Sequence, residues 1–155
     1  MASQIGLNYP VLAPLLPVTG SFAVPFAGYF SLLSLRVVQS RLQDKHYIGD
    51  NSSATGDLDN ELYVNSRAHT NFVENVPLAF VLAAVAELNG GNRKILTGAL
   101  SVLLTLRILH TELGILKPQA MGRGRPIGYF GTIGTILGLA GYAAFLVKDS
   151  WLQLF

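Results

Sequence analysis

Arg67-Ala68-His69-Thr70-Asn71-Phe72-Val73-Glu74-Asn75-Val76-Pro77 is the stretch on which the reading of this chain turns. It runs without a break into the apolar segment Leu78-Ala79-Phe80-Val81-Leu82-Ala83-Ala84-Val85-Ala86. A helix through both sets Arg67, Asn71 and Glu74 at i, i+4 and i+7, stacked on one face. A cation, an amide and a carboxylate then line the mouth of a strongly hydrophobic segment. Ionisable groups in such a place are costly unless paired or wet, so they call for a partner or a function.

The rest of the sequence sets this stretch in a membrane. Half of the 155 residues are apolar and 13% are charged, against roughly 25% charged in an ordinary soluble domain. There is no cysteine, which excludes a disulfide framework and a catalytic thiol of the protein's own. The formal charge is +2, and no basic tract is interleaved with aromatics, so nucleic acid is not an expected partner. His69 and His110 do not stand at zinc or di-iron spacing from one another or from carboxylates, so no metal site is expected. At this length the expectation is a single domain spanning 1–155.

Four helices are expected, over roughly 10–42, 62–88, 93–116 and 126–148. Within the last three, the spans Arg67 to Leu88, Ile95 to Leu116 and Ile127 to Val147 are each about twenty residues long, enough to cross a bilayer. The first is interrupted by Pro14, Pro17 and Pro25, which predicts a kinked or late-starting helix. A signal peptide is the rival reading of that segment, but no basic region precedes the apolar stretch. Arg41 to Asn60 is the one polar segment, with the Gly, Ser, Asn and Asp content of a solvated connector. It includes Asn51-Ser52-Ser53, a glycosylation sequon. Asn89-Gly90-Gly91-Asn92 makes the second turn, and Gly122-Arg123-Gly124-Arg125-Pro126 a basic third connector. The last helix carries Gly128, Gly131, Gly134, Gly138 and Gly141, a smooth face suited to close packing on a neighbouring helix or subunit.

Charge sets the expected orientation. Arg36, Arg41, Lys45, Arg67, Arg107, Lys117, Arg123 and Arg125 lie in or near the first and third connectors, whereas Arg93, Lys94 and Lys148 lie on the other side. The bias puts those two connectors in the cytoplasm and both termini outside it. Arg36, Arg67, Asn71, Glu74, Arg107, His110 and Arg125 then converge on the cytoplasmic half of an all-α integral membrane four-helix bundle. On the residues alone two readings stay open. The arginines could snorkel to headgroups with Glu74 pairing Arg67 or Arg107, or the layer could be a binding site. A short chain buries so many polar groups poorly, which argues for a symmetric oligomer with the site between subunits.

The opening stretch closely resembles the R-A-x-x-N-x-x-E-x-x-P signature on the second helix of the MAPEG family, the membrane-associated proteins in eicosanoid and glutathione metabolism. The similarity extends to Arg107-Ile108-Leu109-His110 and to Arg125-Pro126-Ile127-Gly128-Tyr129, and covers the chain from about Phe22 to Val147. The resemblance implies a homotrimer, in contact with membrane lipids, that binds glutathione between adjacent subunits. It assigns Arg67, Asn71, Glu74, His110, Arg125 and Tyr129 to the glutathione pocket, with Arg36 a further candidate. Arginines suit the carboxylates of the tripeptide, and Glu74 its ammonium or a neighbouring arginine.

The chemistry so implied is thiolate activation. A free thiol has a pKa near 8.5, which a nearby guanidinium lowers. Arg125 is the first candidate for that role and Arg36 the second. A lipophilic substrate would arrive laterally from the bilayer. Conjugation, peroxide reduction and isomerisation all start from the same thiolate.

Where the eicosanoid synthases of the family place tyrosines, one turn beyond the position of His110, this chain has Leu113-Gly114. That difference points to a broader glutathione transferase or peroxidase, or to a dedicated isomerase or conjugating enzyme of a biosynthetic pathway. A lipid-binding adaptor without catalysis is the alternative within the fold. A channel or transporter is the alternative outside it, and the apolar external half of the last three spans speaks against it. The resemblance implies the endoplasmic reticulum for a eukaryotic source and the inner membrane for a bacterial one.

Overall fold

In the computed structural model, which describes residues 14–50 and 60–151, the second helix shows most plainly why the chain folds as it does. This helix, α2, spans Glu61–Leu88. Its buried positions Leu62, Asn65, Ala68, Phe72, Val76, Ala79, Ala83 and Ala86 recur every three or four residues and form one continuous stripe. The stripe ends in alanines, so neighbouring helices can approach closely at that end. Asn60 caps the start, its side chain accepting a hydrogen bond from the Tyr63 amide at 2.9 Å.

The helix before it, α1, spans Pro17–Asp44. Pro17 opens it at a position where the missing amide hydrogen has no helical partner to lose. No side chain of its own caps the first turn. Glu87, near the far end of α2, does so instead. Its carboxylate accepts from the amides of Val18 and Thr19 at 2.7 and 2.8 Å and from Thr19 Oγ1 at 2.7 Å. An acidic group at a helix N-terminus also meets the favourable end of the helix dipole. Toward the other end, buried Asn65 donates to Ser40 Oγ at 2.9 Å and ties the two helices again.

Helix α3 spans Arg93–His110 and is capped by Asn92, whose side chain accepts from the Lys94 amide at 2.9 Å. Its buried stripe reads Leu96, Leu100, Leu103, Arg107, His110. The last two members are polar, so the stripe that seats α3 in the core also carries two functional side chains inward. A single π turn, Thr111–Ile115, continues it, and a 3₁₀ turn, Pro118–Ala120, leads on toward α4, Gly124–Leu146. A short α5, Lys148–Trp151, closes the described chain. No strand occurs among the described residues.

The core is apolar and contiguous, with Phe26 and Leu33 of α1, Phe72 and Val76 of α2, Leu96, Leu100 and Leu103 of α3, and Leu139 of α4. α1, α2, α3 and α4 are each long and apolar enough to span a membrane. Val24, Leu35, Val81, Val102, Phe130 and Leu137 lie exposed on the outside, where a bilayer would cover them. This is the architecture of an integral membrane four-helix bundle.

The glycine face of α4 divides in two. A Cβ on Gly128 would meet the His110 side chain and the Leu106 carbonyl, and one on Gly131 would meet the Leu106 side chain, so this part of the face seats α3. Gly134, Gly138 and Gly141 have open space beside them. The sequon at Asn51 and the expected helical residues before Pro14 lie outside the described residues.

Candidate functional site

Tyr63, Arg67 and Asn71 lie at successive four-residue steps on α2 and present one face. That face is one wall of a cavity of about 480 Å³. The opposite wall is built where α3 ends and α4 begins, from His110, Ile115, Ala120, Met121, Arg125, Pro126 and Tyr129. Five of the seven expected site residues, Arg67, Asn71, His110, Arg125 and Tyr129, therefore come together in one cavity. The volume falls within the roughly 300–1,000 Å³ usual for small-molecule sites. Among the described residues the lining side chains include two arginines, a histidine, an amide and two phenols, and no carboxylate. Such a wall favours an anion.

Behind Asn71 stands Arg107, 2% exposed. Its Nη1 donates to Asn71 Oδ1 at 2.8 Å and its Nη2 to the Gly128 carbonyl at 2.7 Å. Its Nε is buried without a partner. Both partners are neutral, and no ion pair to Arg107 is found among the described residues. Because Arg107 holds the amide oxygen, the Nδ2 hydrogens of Asn71 are the ones left for the cavity.

Arg125 is fixed by the turn before it. Gln119 and Ala120 both take left-handed backbone, with φ of 56° and 53°, a conformation that costs non-glycine residues roughly 1–2 kcal/mol each. The Ala120 carbonyl accepts from Arg125 Nη1 at 2.9 Å. The main chain of Arg125 in turn packs on Gly114, where a Cβ would lie 2.7 Å from the Arg125 amide nitrogen. At this position a tyrosine would force α4 away. His110 Nδ1 lies 2.8 Å from the Arg125 carbonyl oxygen.

The remaining two expected residues lie elsewhere. Arg36 lines a second cavity of about 590 Å³ with Gln39, Glu61, Asn65, Lys117 and Gln119. It makes a forked ion pair with Glu112 of the π turn, at 2.7 and 3.3 Å, and Tyr29 Oη donates to the same carboxylate at 3.1 Å. Glu74 is exposed and forms no hydrogen bond or ion pair among the described residues. It pairs with neither Arg67 nor Arg107, so the purely structural role open to it on sequence grounds is not met within one chain.

A third, wholly apolar groove of about 310 Å³ runs between α1 and α2, lined by Ala23, Phe26, Ala27, Phe30, Phe72 and Phe80 among others. No group of three or more His, Cys, Asp or Glu that could hold a metal occurs among the described residues.

The family model of the MAPEG family matches residues 19–145, most of the chain. This protein belongs to the MAPEG family. A search of curated protein sequences returned no match. MAPEG membership carries a glutathione-related membrane function in general terms, in a family that holds transferases and peroxidases as well as non-enzymes.

Several lining residues escape a reading of the sequence. Tyr63 has a signal, since it stands four residues before Arg67 on the same helix face. Val64, Ile115 and Met121 have none beyond apolarity. Arg107 is visible as a polar residue on α3, but its hold on Asn71 crosses 36 positions of sequence and needs the fold.

Proposed function

We propose that this MAPEG protein is a glutathione-dependent membrane transferase or peroxidase that activates the glutathione thiolate for attack on a lipophilic electrophile or hydroperoxide. The observation that carries the proposal is the convergence of Arg67, Asn71, His110, Arg125 and Tyr129 on one cavity, lined by no carboxylate among the described residues. Glutathione brings two carboxylates and a thiol, and arginine forks suit carboxylates. Arg125 is the residue assigned to the sulfur, where its charge would favour the thiolate over the thiol. Arg67 and Asn71 would take the tripeptide's carboxylates and main chain, and His110 and Tyr129 would close the pocket.

The proposed assembly is a homotrimer with its sites between subunits. The family is typically trimeric, and the exposed carboxylate of Glu74 is available to a neighbouring subunit or to the ammonium of the tripeptide. Arg36 would act at such a seam through the second cavity, although its ion pair with Glu112 makes it a weaker activator than Arg125. Lysine and arginine counts support the cytoplasmic side for the site.

A second reading, a lipid-binding adaptor, is favoured by the apolar groove between α1 and α2. Turnover separates the two. Purified protein given glutathione with a halonitrobenzene or a lipid hydroperoxide should form conjugate or alcohol. Glutathione binding with neither product would move the reading to the adaptor.

A further inference from the structure

His110 lines the cavity at 3% exposure, and the fold decides which of its ring nitrogens carries a hydrogen. Nδ1 sits 2.8 Å from the main-chain carbonyl oxygen of Arg125. A carbonyl can only accept, so Nδ1 donates and the neutral ring keeps its lone pair on Nε2. Nε2 makes no hydrogen bond among the described residues. The contact is built in by two glycines: Gly128 lets α4 lie against the His110 side chain, and Gly114 lets the Arg125 main chain close over the end of α3.

Thiolate formation releases a proton, and the cavity offers few places for it. The guanidinium groups of Arg67 and Arg125 cannot accept one. The Asn71 amide is not a base, and a phenol such as that of Tyr63 or Tyr129 ordinarily gives a hydrogen rather than taking one. No carboxylate lines the cavity among the described residues. Among the described side chains that line the cavity, His110 Nε2 is the remaining acceptor.

We propose that His110 is the general base of the reaction, an inference that rests on the glutathione reading above. The thiol S–H bond breaks, its electron pair stays on sulfur, and the proton forms an N–H bond at Nε2. The imidazolium then faces Arg125 from α4, Arg67 from α2 and Arg107 from its own helix, with Tyr63 and Tyr129 as the other ionisable neighbours. The proton held at Nε2 then leaves the ring. On addition to an electrophile, the atom that gains the electron pair takes it; otherwise water does. Arg125 stabilises the charge that stays on sulfur, and the two residues divide the work.

The test is stopped-flow ultraviolet absorbance of the thiolate when detergent-purified protein is mixed with glutathione, beside equilibrium binding. General bases contribute about 10²–10⁴-fold. His110→Gln should therefore form thiolate at least about 100-fold more slowly at saturating glutathione. His110→Ala should regain rate when free imidazole is added, because the base itself is what it lacks. A wild-type rate of thiolate formation in His110→Gln would overturn the proposal. So would loss of glutathione binding in both variants without rescue by imidazole, since that is the signature of a structural role. Absence of glutathione binding in the wild type would remove the glutathione reading and this inference together.

Discussion

Arg107 is a buried guanidinium with two neutral acceptors and no ion pair among the described residues. Its removal takes hydrogen bonds from Asn71 and Gly128, at about 1–3 kcal/mol for each acceptor left dry. It also removes a costly unpaired charge. Arg107→Met should therefore change thermal stability little while weakening glutathione binding at least about tenfold, the equivalent of about 1.4 kcal/mol, because the Asn71 amide is free to turn. Calorimetric titration beside a melting curve checks this, and unchanged affinity would refute the orienting role. Arg125 has a different task. Arg125→Ala should cut kcat by about 10²–10³-fold, as removal of one preorganised charge-stabilising donor does, with a much smaller loss of affinity. Equal losses in turnover and binding would take Arg125 out of the thiolate step. At this scale the sequence is informative where residues share a helix face: Arg67 and Asn71 can be paired by counting. It is silent where a side chain's orientation is set from another helix, as Arg107 sets Asn71 and as Glu112 claims Arg36 across 76 positions.

The seam between α3 and α4 positions half of the cavity, and its tolerance is uneven. Gly128→Ala would press a methyl group into His110 and Leu106 and should cost about 1–3 kcal/mol, the usual range for overpacking. Gly138→Ala has open space beside it and should be close to neutral in the single chain. Melting temperatures of the two variants in detergent measure the contrast, and equal effects would contradict the division of the glycine face. Glu87→Ala leaves the first amides of α1 uncapped, a loss of about 1–3 kcal/mol. Yet Glu87 stands twenty residues along α2 from Arg67, about 30 Å at 1.5 Å per residue. The variant should melt earlier and bind glutathione as before. The four spans are legible from apolar runs of bilayer length. The start of α1 is less so, because Glu87 fixes it from the end of another helix. The π turn and the left-handed pair Gln119–Ala120 are set by contacts with α4 and carry no signal of their own.

The protein is a membrane four-helix bundle with two polar cavities among the described residues, Val64 lining both. Its MAPEG identity is legible because the motif on α2 is specific and the later ones fall on α3 and α4 in the same order. Glu74 and the open glycines of α4 have no counterpart among the described residues of one chain and are the features that the proposed trimer would use. Glu74→Ala should weaken glutathione binding in an intact oligomer, as followed by titration and light scattering. Loss of the oligomer alone would make Glu74 a subunit contact. The central claim, that the cavity between Arg67 and Arg125 holds glutathione as a thiolate, is tested most directly by titrating glutathione into the detergent-purified protein while following thiolate absorbance near neutral pH. Saturable binding with a thiolate signal that Arg125→Ala abolishes is the predicted result. No saturable binding would contradict the claim.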